Sequence, residues 1–198
     1  MPASAEKLAM LALCIERLTG AGYVYIGMDH FAKPGDDLAV AQRQGRLHRN
    51  FQGYSTHADS DLIACGVSAI GAVGATYSQN AKTLDAYYEA LENNELPVVR
   101  GVALGMDDIL RRTVIGKLMC QFELSVAVIE QAFQICFVDY FAPELAQLRQ
   151  LETDGLVTLD GEWITVTMRG RLLIRNVCMV FDRYLAAPGA APRHSRTA

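Results

Sequence analysis

Near the start of the chain, apolar side chains are spaced three or four residues apart between positions 8 and 18. This spacing predicts an amphipathic helix that has Ser4 as its N-cap and the glycines at 20 and 22 as its stop signal. The β-branched and aromatic run 23–26 predicts a buried strand. The acidic pair at 36–37 predicts the start of a second helix, which continues to Gln44.

A second apolar run, residues 62–70, predicts another buried strand. Asn80 then predicts the N-cap of a helix that continues to Glu92. Helices and strands that alternate in this way are typical of βα units in a parallel sheet. For residues 1–96 we therefore expect an α/β domain.

After Pro97 the pattern becomes mostly helical, with three predicted helices between residues 107 and 154. The Asp160–Gly161 pair between two short apolar runs predicts a β-hairpin, and the spacing from 168 to 185 predicts a last helix. This order resembles a winged-helix module, so residues 97–185 form a predicted second domain. The tail 186–198, rich in Pro, Ala and Gly, is predicted to be disordered.

Composition restricts the classes of function. The 198 residues are 51% hydrophobic and carry a net charge of -4, and the third predicted helix has three acidic residues against Arg149 alone. Both features argue against nucleic acid as a partner. The chain lacks an apolar run long enough for a membrane span, and its first residues do not have the order of a signal peptide. We therefore expect a cytoplasmic protein.

The five cysteines are scattered among apolar neighbours and contain no C-x-x-C pair. A metal or iron–sulfur site built from this chain alone is therefore not expected. Free cysteine is among the most buried residue types, so we predict that these five are small core residues.

Residues 38–58 contain arginines and histidines but no Asp or Glu. The five basic positions are Arg43, Arg46, Arg49, His48 and His57. A local cationic segment on an acidic protein favours an anionic ligand. For Arg43 and Arg46, a solvated helix face is an equally good interpretation.

Four motifs resemble one known family: Gly-Met-Asp-His-Phe-Ala-Lys-Pro at 27–34, Leu-His-Arg-Asn-Phe-Gln-Gly-Tyr at 47–54, Gly-Val-Ser-Ala-Ile at 66–70 and Gly-Arg-Leu-Leu-Ile-Arg-Asn at 170–176. The family is the oxygen-independent coproporphyrinogen III oxidases, which are radical S-adenosylmethionine enzymes of haem synthesis. The resemblance extends from about residue 5 to residue 185. It implies the last βα units of an incomplete (β/α) barrel over 1–96, followed by a helical C-terminal domain with the winged-helix-like hairpin.

This sequence departs from the family pattern in three places. Ser55 stands where the family usually has Thr, and His57–Ala58 stand where it has Gln-Gly. The C-x-x-x-C-x-x-C motif that holds the family's 4Fe-4S cluster does not occur. The resemblance therefore implies a C-terminal portion whose cluster ligands lie outside this chain, and we expect the chain alone to be inactive.

The resemblance also implies the reaction: oxidative decarboxylation of two propionates of coproporphyrinogen III to vinyl groups, which gives protoporphyrinogen IX. It assigns S-adenosylmethionine binding to Phe51, Gln52 and Ile70. Candidates for the substrate site are Asp29, His30, Lys33 and Arg49. Lys33, Arg49 and His30 could meet a carboxylate, and Asp29 could hold a ribose hydroxyl or orient His30. An electron-donor protein would be a partner, and the full-length enzyme would be a monomer.

Other interpretations stay open. On the sequence alone Ile70 is a core strand residue, and His30 is as consistent with a structural hydrogen bond as with a ligand. One alternative function is a haem-binding or haem-transfer radical S-adenosylmethionine relative without decarboxylase activity. Another is a winged-helix interaction module.

Overall fold

The structure is a computed structural model that describes residues 3–58 and 60–185. Its first part contains α1 (Ser4–Gly20), β1 (Val24–Gly27), β2 (His30–Ala32), α2 (Asp37–Arg43), β3 (His48–Asn50), β4 (Gly53–Ser55), β5 (Ile70–Val73), β6 (Thr76–Asn80), α3 (Leu84–Glu92) and β7 (Val98–Ala103). Its second part contains α4 (Met106–Gln121), β8 (Glu123–Ser125), α5 (Val126–Phe133), α6 (Phe137–Tyr140), α7 (Ala142–Thr153), β9 (Val157–Leu159), β10 (Trp163–Val166), α8 (Met168–Leu172) and α9 (Ile174–Met179).

The fold is mixed α/β, as predicted, but the expected parallel sheet was wrong. Every strand pairing within the described ranges is antiparallel: the hairpins β1–β2 and β3–β4, and the three-stranded sheets β5–β6–β7 and β8–β10–β9. Within the first part, consecutive paired strands are mostly joined by turns of a few residues. Such connections are too short for the crossover that parallel strands need.

The predicted strand at 62–70 was also wrong. Leu62 makes only an isolated bridge with Ala72, and the regular strand starts at Ile70. Between them the backbone is left-handed at Gly66 (φ 100°) and Ser68 (φ 60°), which is incompatible with a continuous strand.

Asn80 holds this irregular segment instead of capping a helix. It ends β6, it is buried, and its side-chain amide donates to the carbonyl oxygens of Ala64 (3.3 Å) and Gly66 (3.0 Å). The helix starts later, with Thr83 as its N-cap. At the start of the chain the N-cap is Ala3, and the predicted cap Ser4 is the first helical residue. Asp36 caps α2 as predicted, because its carboxylate accepts from the backbone N–H of Leu38 at 2.9 Å.

The larger core lies in the second part of the chain. Its fully buried members include Val114, Leu118, Phe137, Phe141, Leu148 and Phe181. The predicted hairpin is confirmed, since Leu159 pairs with Ile164 and the carboxylate of Asp160 accepts from the backbone N–H of Trp163 at 2.7 Å.

The last predicted helix, residues 168–185, is instead two short helices that meet at Leu173. Each packs against a different neighbour. In α8, a side chain at Gly170 would collide with the carbonyl of Leu156, whereas the thiol of Cys178 in α9 contacts the carbonyl oxygen of Ile115 in α4 at 3.8 Å. The helix is interrupted at Leu173, whose backbone (φ -115°, ψ 28°) departs from helical geometry.

A smaller core joins the two N-terminal hairpins to α4. Ile26, Ala39, Leu47 and Cys120 are buried in it. The side-chain amide of Gln42 donates to the carbonyl oxygens of Ile26 (2.7 Å) and Cys120 (2.9 Å). Helix α4 is therefore the common support of both parts of the chain.

Two further sequence-based expectations concern the C-terminal tail and membrane spans. The tail predicted to be disordered, 186–198, lies outside the described residues. Within the described part, no helix combines the length and the apolar character that a membrane span needs.

Candidate functional site

The turn between β1 and β2 carries Asp29 and His30. Met28 in this turn has a left-handed backbone (φ 55°), and the hydroxyl of Tyr25 donates to its carbonyl oxygen at 3.0 Å. Oδ1 of Asp29 lies 2.8 Å from Nδ1 of His30. The geometry therefore supports a role for Asp29 in orienting the imidazole of His30. The other ring nitrogen of His30, Nε2, faces the neighbouring hairpin near Gly53.

The β3–β4 hairpin is a tight turn with Phe51 and Gln52 at its tip. Asn50 pairs with Gly53, and Oδ1 of Asn50 accepts from the backbone N–H of Gln52 at 2.8 Å. Gly53 has φ 136°, a conformation that glycine adopts much more readily than other residues. Phe51 is 53% exposed and Gln52 is also exposed. The local sequence therefore holds an aromatic ring and an amide at the surface in a fixed turn.

The ring of Tyr54 connects the two hairpins. It makes an edge contact with the ring of His30 (centroids 5.1 Å apart), and the guanidinium carbon of Arg49 lies 4.7 Å from its centroid. Its hydroxyl donates to the carbonyl oxygen of Met119 in α4 at 3.3 Å. Burial raises the pKa of Tyr54 well above its usual range even though the charge of Arg49 opposes this shift. The ring is therefore a neutral platform between an imidazole and a cation.

Arg49 is not part of a solvated face. Its Nη1 atom is buried and has no hydrogen-bond partner among the described residues. An unsatisfied buried donor costs about 1–3 kcal/mol, and more when the group is charged. Arg49 therefore has unused capacity to bind an acceptor, and a carboxylate is the acceptor that arginine prefers.

Ile70 starts β5 and pairs with Gln79 of β6. Side chains alternate between the faces of a sheet, so Ile70 and Tyr77, which pairs with Ala72, lie on the same face. Tyr77 makes a perpendicular ring contact with Phe51 at 5.2 Å. The turn that carries Phe51 therefore packs against the sheet face that carries Ile70.

Ile70 is half-buried and belongs to neither of the two apolar cores. The interpretation of Ile70 as a simple core residue therefore has no support in the packing.

The other predicted cations make contacts elsewhere. Nζ of Lys33 lies 4.1 Å from the ring centroid of Tyr23, Arg46 donates to Oε1 of Gln44, and Arg43 is exposed. Of the candidates for the substrate site, the structure brings Asp29, His30 and Arg49 together around Tyr54, whereas Lys33 contacts Tyr23. The sequence analysis assigned no role to Tyr54 or Tyr77. Their ring contacts with His30 and Phe51 join separate strands of the fold, and no local sequence pattern predicts such contacts.

The cysteines do not form a ligand set. Only Cys120 and Cys178 are buried, whereas Cys14, Cys65 and Cys136 are exposed, so the prediction of five core cysteines was wrong for three. Burial raises the pKa of the Cys120 and Cys178 thiols to about 12. Across residues 3–58 and 60–185, no group of three or more His, Cys, Asp or Glu residues is arranged to hold a metal ion.

Comparison with known proteins gives consistent matches. Residues 105–173 match the family described as the HemN C-terminal domain. The chain is 51% identical over 189 residues to the oxygen-independent coproporphyrinogen III oxidase of Synechocystis sp., covering 93% of this chain and 41% of that protein. It is 50% identical over 196 residues to the protein of the same name from Escherichia coli K12, covering 99% of this chain and 43% of that protein.

A solved structure agrees with these relatives. Its title is "Coproporphyrinogen III oxidase (HemN) from Escherichia coli is a Radical SAM enzyme"; it matches with a TM-score of 0.88 and 52% identity over 93% of this chain and 42% of that chain. Residues 105–173 therefore have the sequence of a HemN C-terminal domain, and the chain shares its fold with part of the solved HemN structure. The chain is similar to the oxygen-independent coproporphyrinogen III oxidases, as its motifs predicted, and it spans about two fifths of the length of these relatives.

Proposed function

We propose that this chain is the C-terminal part of an oxygen-independent coproporphyrinogen III oxidase. The whole enzyme would oxidatively decarboxylate two propionates of coproporphyrinogen III to vinyl groups and give protoporphyrinogen IX. One observation carries the proposal: in a chain about half identical to proteins of that name, the turn at Phe51 and Gln52 packs against the sheet face of Ile70.

The residues of this turn fit an adenosyl ligand. Adenine needs an apolar contact surface and a group that both donates and accepts hydrogen bonds. Phe51 is largely exposed, and the side-chain amide of Gln52 has no hydrogen-bond partner among the described residues. Phe51, Gln52 and Ile70 would hold S-adenosylmethionine, which when bound supplies the hydrogen-atom abstraction that starts the oxidation of a propionate.

The residues present do not fit a 4Fe-4S cluster. Such a cluster needs clustered thiolates, and the five cysteines here are separated between the surface and two cores. Its ligands would therefore be supplied from outside this chain.

The substrate would bind at the group around Tyr54, which consists of Asp29, His30 and Arg49. Arg49 offers a buried, unpaired guanidinium N–H to a carboxylate, and Asp29 fixes the orientation of His30. These residues would bind and orient a propionate at a site where the His30 and Asp29 side chains are 38% and 83% exposed. Lys33 stays a prediction, because its ammonium group lies over the ring of Tyr23.

A large apolar face supports contact with further polypeptide. Helix α3 buries none of its residues, and every residue of β7 is exposed. Leu84, Tyr88 and Leu91 lie on one side of α3 and are each at least 43% exposed, and Val99 of the edge strand β7 is 60% exposed. Exposed apolar side chains grouped on one side of a helix are typical of an interaction site. We propose that the region of the longer relatives outside the match, the radical-SAM barrel, covers this face, with residues 1–96 at the end of that barrel.

The two alternatives gain no observation in their favour. A winged-helix module that binds nucleic acid needs a basic recognition helix, whereas α7 contributes Glu144 to a buried ion pair with Arg111. No contact points to a haem-transfer function. The electron-donor protein, the monomeric full-length enzyme, the cytoplasmic location and the absence of membrane contact stay predictions.

The test uses a hybrid enzyme, in which this chain replaces the matching region of the Escherichia coli relative. Reconstituted without oxygen and supplied with S-adenosylmethionine and a reductant, the hybrid is expected to convert coproporphyrinogen III to protoporphyrinogen IX. A hybrid that is folded and loaded with its cluster but forms no vinyl product would contradict the proposal.

A further inference from the structure

A cleft of about 290 Å³ lies between α1, the β1–β2 turn and the α8–α9 pair. Leu8, Leu11 and Leu172 give it apolar walls, and Lys7 and Arg175 bring positive charge from opposite sides. This volume is at the lower end for sites that take drug-sized ligands. The cleft therefore suits one edge of a large ligand and cannot enclose a whole macrocycle.

The charges in the cleft are not neutralised by the protein. Neither Lys7 nor Arg175 makes an ion pair or a side-chain hydrogen bond with the described residues, and the same holds for the amide of Asn176. A carboxylate, that of Asp29, also lines the cleft, and its Oδ1 lies 2.8 Å from Nδ1 of His30. Two unpaired cations against one carboxylate leave the cleft net positive beside its apolar walls, on a protein of net charge -4.

A third cation, Arg171, is adjacent in the chain to the cleft wall. Nε of Arg171 is buried and has no hydrogen-bond partner among the described residues. Its guanidinium carbon lies 4.5 Å from the ring centroid of Phe122, and it precedes Leu172 of the cleft wall directly in the chain.

We propose that this cleft binds a propionate edge of the tetrapyrrole substrate. The inference rests on the proposed function and extends it with a second carboxylate site. Arg175 would pair with the carboxylate in a bidentate manner, Lys7 would add a point charge, and the leucine walls would contact the methylene stem and the pyrrole. Asp29 lines the cleft and also holds His30, so a macrocycle anchored here would present a neighbouring edge to the group around Tyr54.

The experiment titrates the 198-residue chain with coproporphyrin III, the stable oxidised form of the macrocycle, and follows porphyrin fluorescence. Arg175→Gln is expected to weaken binding about ten- to a hundred-fold, as for loss of a charge-assisted contact, and Lys7→Gln is expected to weaken it less. Arg149→Gln on the exposed side of α7 is the matched control and should change nothing. The tetramethyl ester of coproporphyrin III should bind to the wild-type chain at least as weakly as the free acid binds to Arg175→Gln. Thermal melts should show that all variants are folded.

Three results would overturn the inference: no binding of coproporphyrin III by the wild-type chain, equal affinity for the acid and its ester, or unchanged affinity in Arg175→Gln. Binding of inorganic phosphate at the cleft without binding of the porphyrin would also overturn it, because the cleft would then be a simple anion site. The proposed function fails separately, if the hybrid enzyme makes no protoporphyrinogen IX. An active hybrid whose KM for coproporphyrinogen III does not rise with Arg175→Gln would reject the cleft and leave the function intact.

Discussion

The guanidinium of Arg49 lies 4.7 Å from the ring centroid of Tyr54, yet its Nη1 atom is buried with no hydrogen-bond partner among the described residues. In an ion pair that stabilises the fold, a carboxylate would lie beside Nη1 of Arg49. The free protein instead holds a charged donor that is oriented by an aromatic ring and unsatisfied. This arrangement is typical of a position prepared for a ligand.

We predict that Arg49→Met will separate ligand binding from stability. Loss of a charged hydrogen bond should weaken coproporphyrinogen III binding to the hybrid enzyme by about 1.5–3 kcal/mol. The melting temperature should stay the same or rise, because the variant removes an unsatisfied buried donor. Arg43→Met, at an exposed position on α2, is the control for both measurements. A much lower melting temperature with unchanged affinity would show that Arg49 is only structural.

Ile70 offers a second test that separates ligand binding from stability. Because it lies outside both cores, Ile70→Ala should lower S-adenosylmethionine affinity of the hybrid and cost less than about 1 kcal/mol of unfolding free energy. Ile26, which is 0% exposed, is the matched control, and Ile26→Ala should cost about 2–5 kcal/mol. Equal stability losses in urea unfolding, with normal cofactor affinity for Ile70→Ala, would restore the interpretation of Ile70 as a core residue.

Sequence reasoning predicted the elements whose signals are local. The apolar spacing of α1, the cap at Asp36 and the turn at Asp160–Gly161 each act within a few residues, and each element forms as expected. The segment 62–70 was mispredicted because its conformation depends on Asn80, which reaches back to Ala64 and Gly66. That contact between distant residues has no signature in the apolar pattern.

The glycine at position 27 provides a test of the packing between the two hairpins. It has φ 148°, and a Cβ atom there would collide with the hydroxyl of Tyr54. Gly27→Ala should therefore destabilise the chain by about 1–3 kcal/mol from overpacking, in addition to the backbone strain. Gly22→Ala (φ 84°) has open space around the added methyl group, so it measures the strain alone. Equal losses for the two variants in urea unfolding would contradict the contact.

The ion-pair network at the start of α4 predicts a pH dependence of stability. Burial opposes ionisation of Asp107, but hydrogen bonds from Tyr140 (2.7 Å) and Arg111 (2.9 Å) and the charges of Arg111 and Arg183 outweigh it. The pKa of Asp107 is therefore lowered from its ordinary value of 3.8. A lowered pKa in the folded state gives stability that is fully present above pH 3.8 and is lost as the pH falls through the folded-state value.

Asp107→Asn should accordingly lower the unfolding free energy by about 1–2 kcal/mol at pH 7. The difference from wild type should shrink as the pH falls below about 4. Asp139→Asn, on the exposed side of α6, should show neither effect. Urea unfolding at pH 7 and pH 3 measures both variants, and a difference that grows at pH 3 would contradict the sign of the shift.

The candidate site was predictable only in part. The turn residues Phe51 and Gln52 and the pair Asp29 and His30 come from contiguous motifs, so the resemblance could point to them. Their arrangement around Tyr54 and Tyr77 depends on how separate hairpins pack on α4, which the sequence pattern does not encode. Lys33 was selected for its charge and its closeness in sequence; its ammonium group lies over the ring of Tyr23, and its role in substrate binding stays a prediction.

Cleavage of S-adenosylmethionine by the hybrid enzyme tests most directly whether the turn of this chain forms a cofactor site. With Phe51 and Gln52 both changed to Ala, release of 5′-deoxyadenosine per folded, cluster-loaded molecule should fall at least about tenfold, which corresponds to loss of about 1.4 kcal/mol of binding. The control changes Val128 and Val138, two exposed residues of the C-terminal part, to Ala and should retain the wild-type rate. Release at the wild-type rate by the Phe51 and Gln52 variant would contradict the assignment of this turn as the cofactor site.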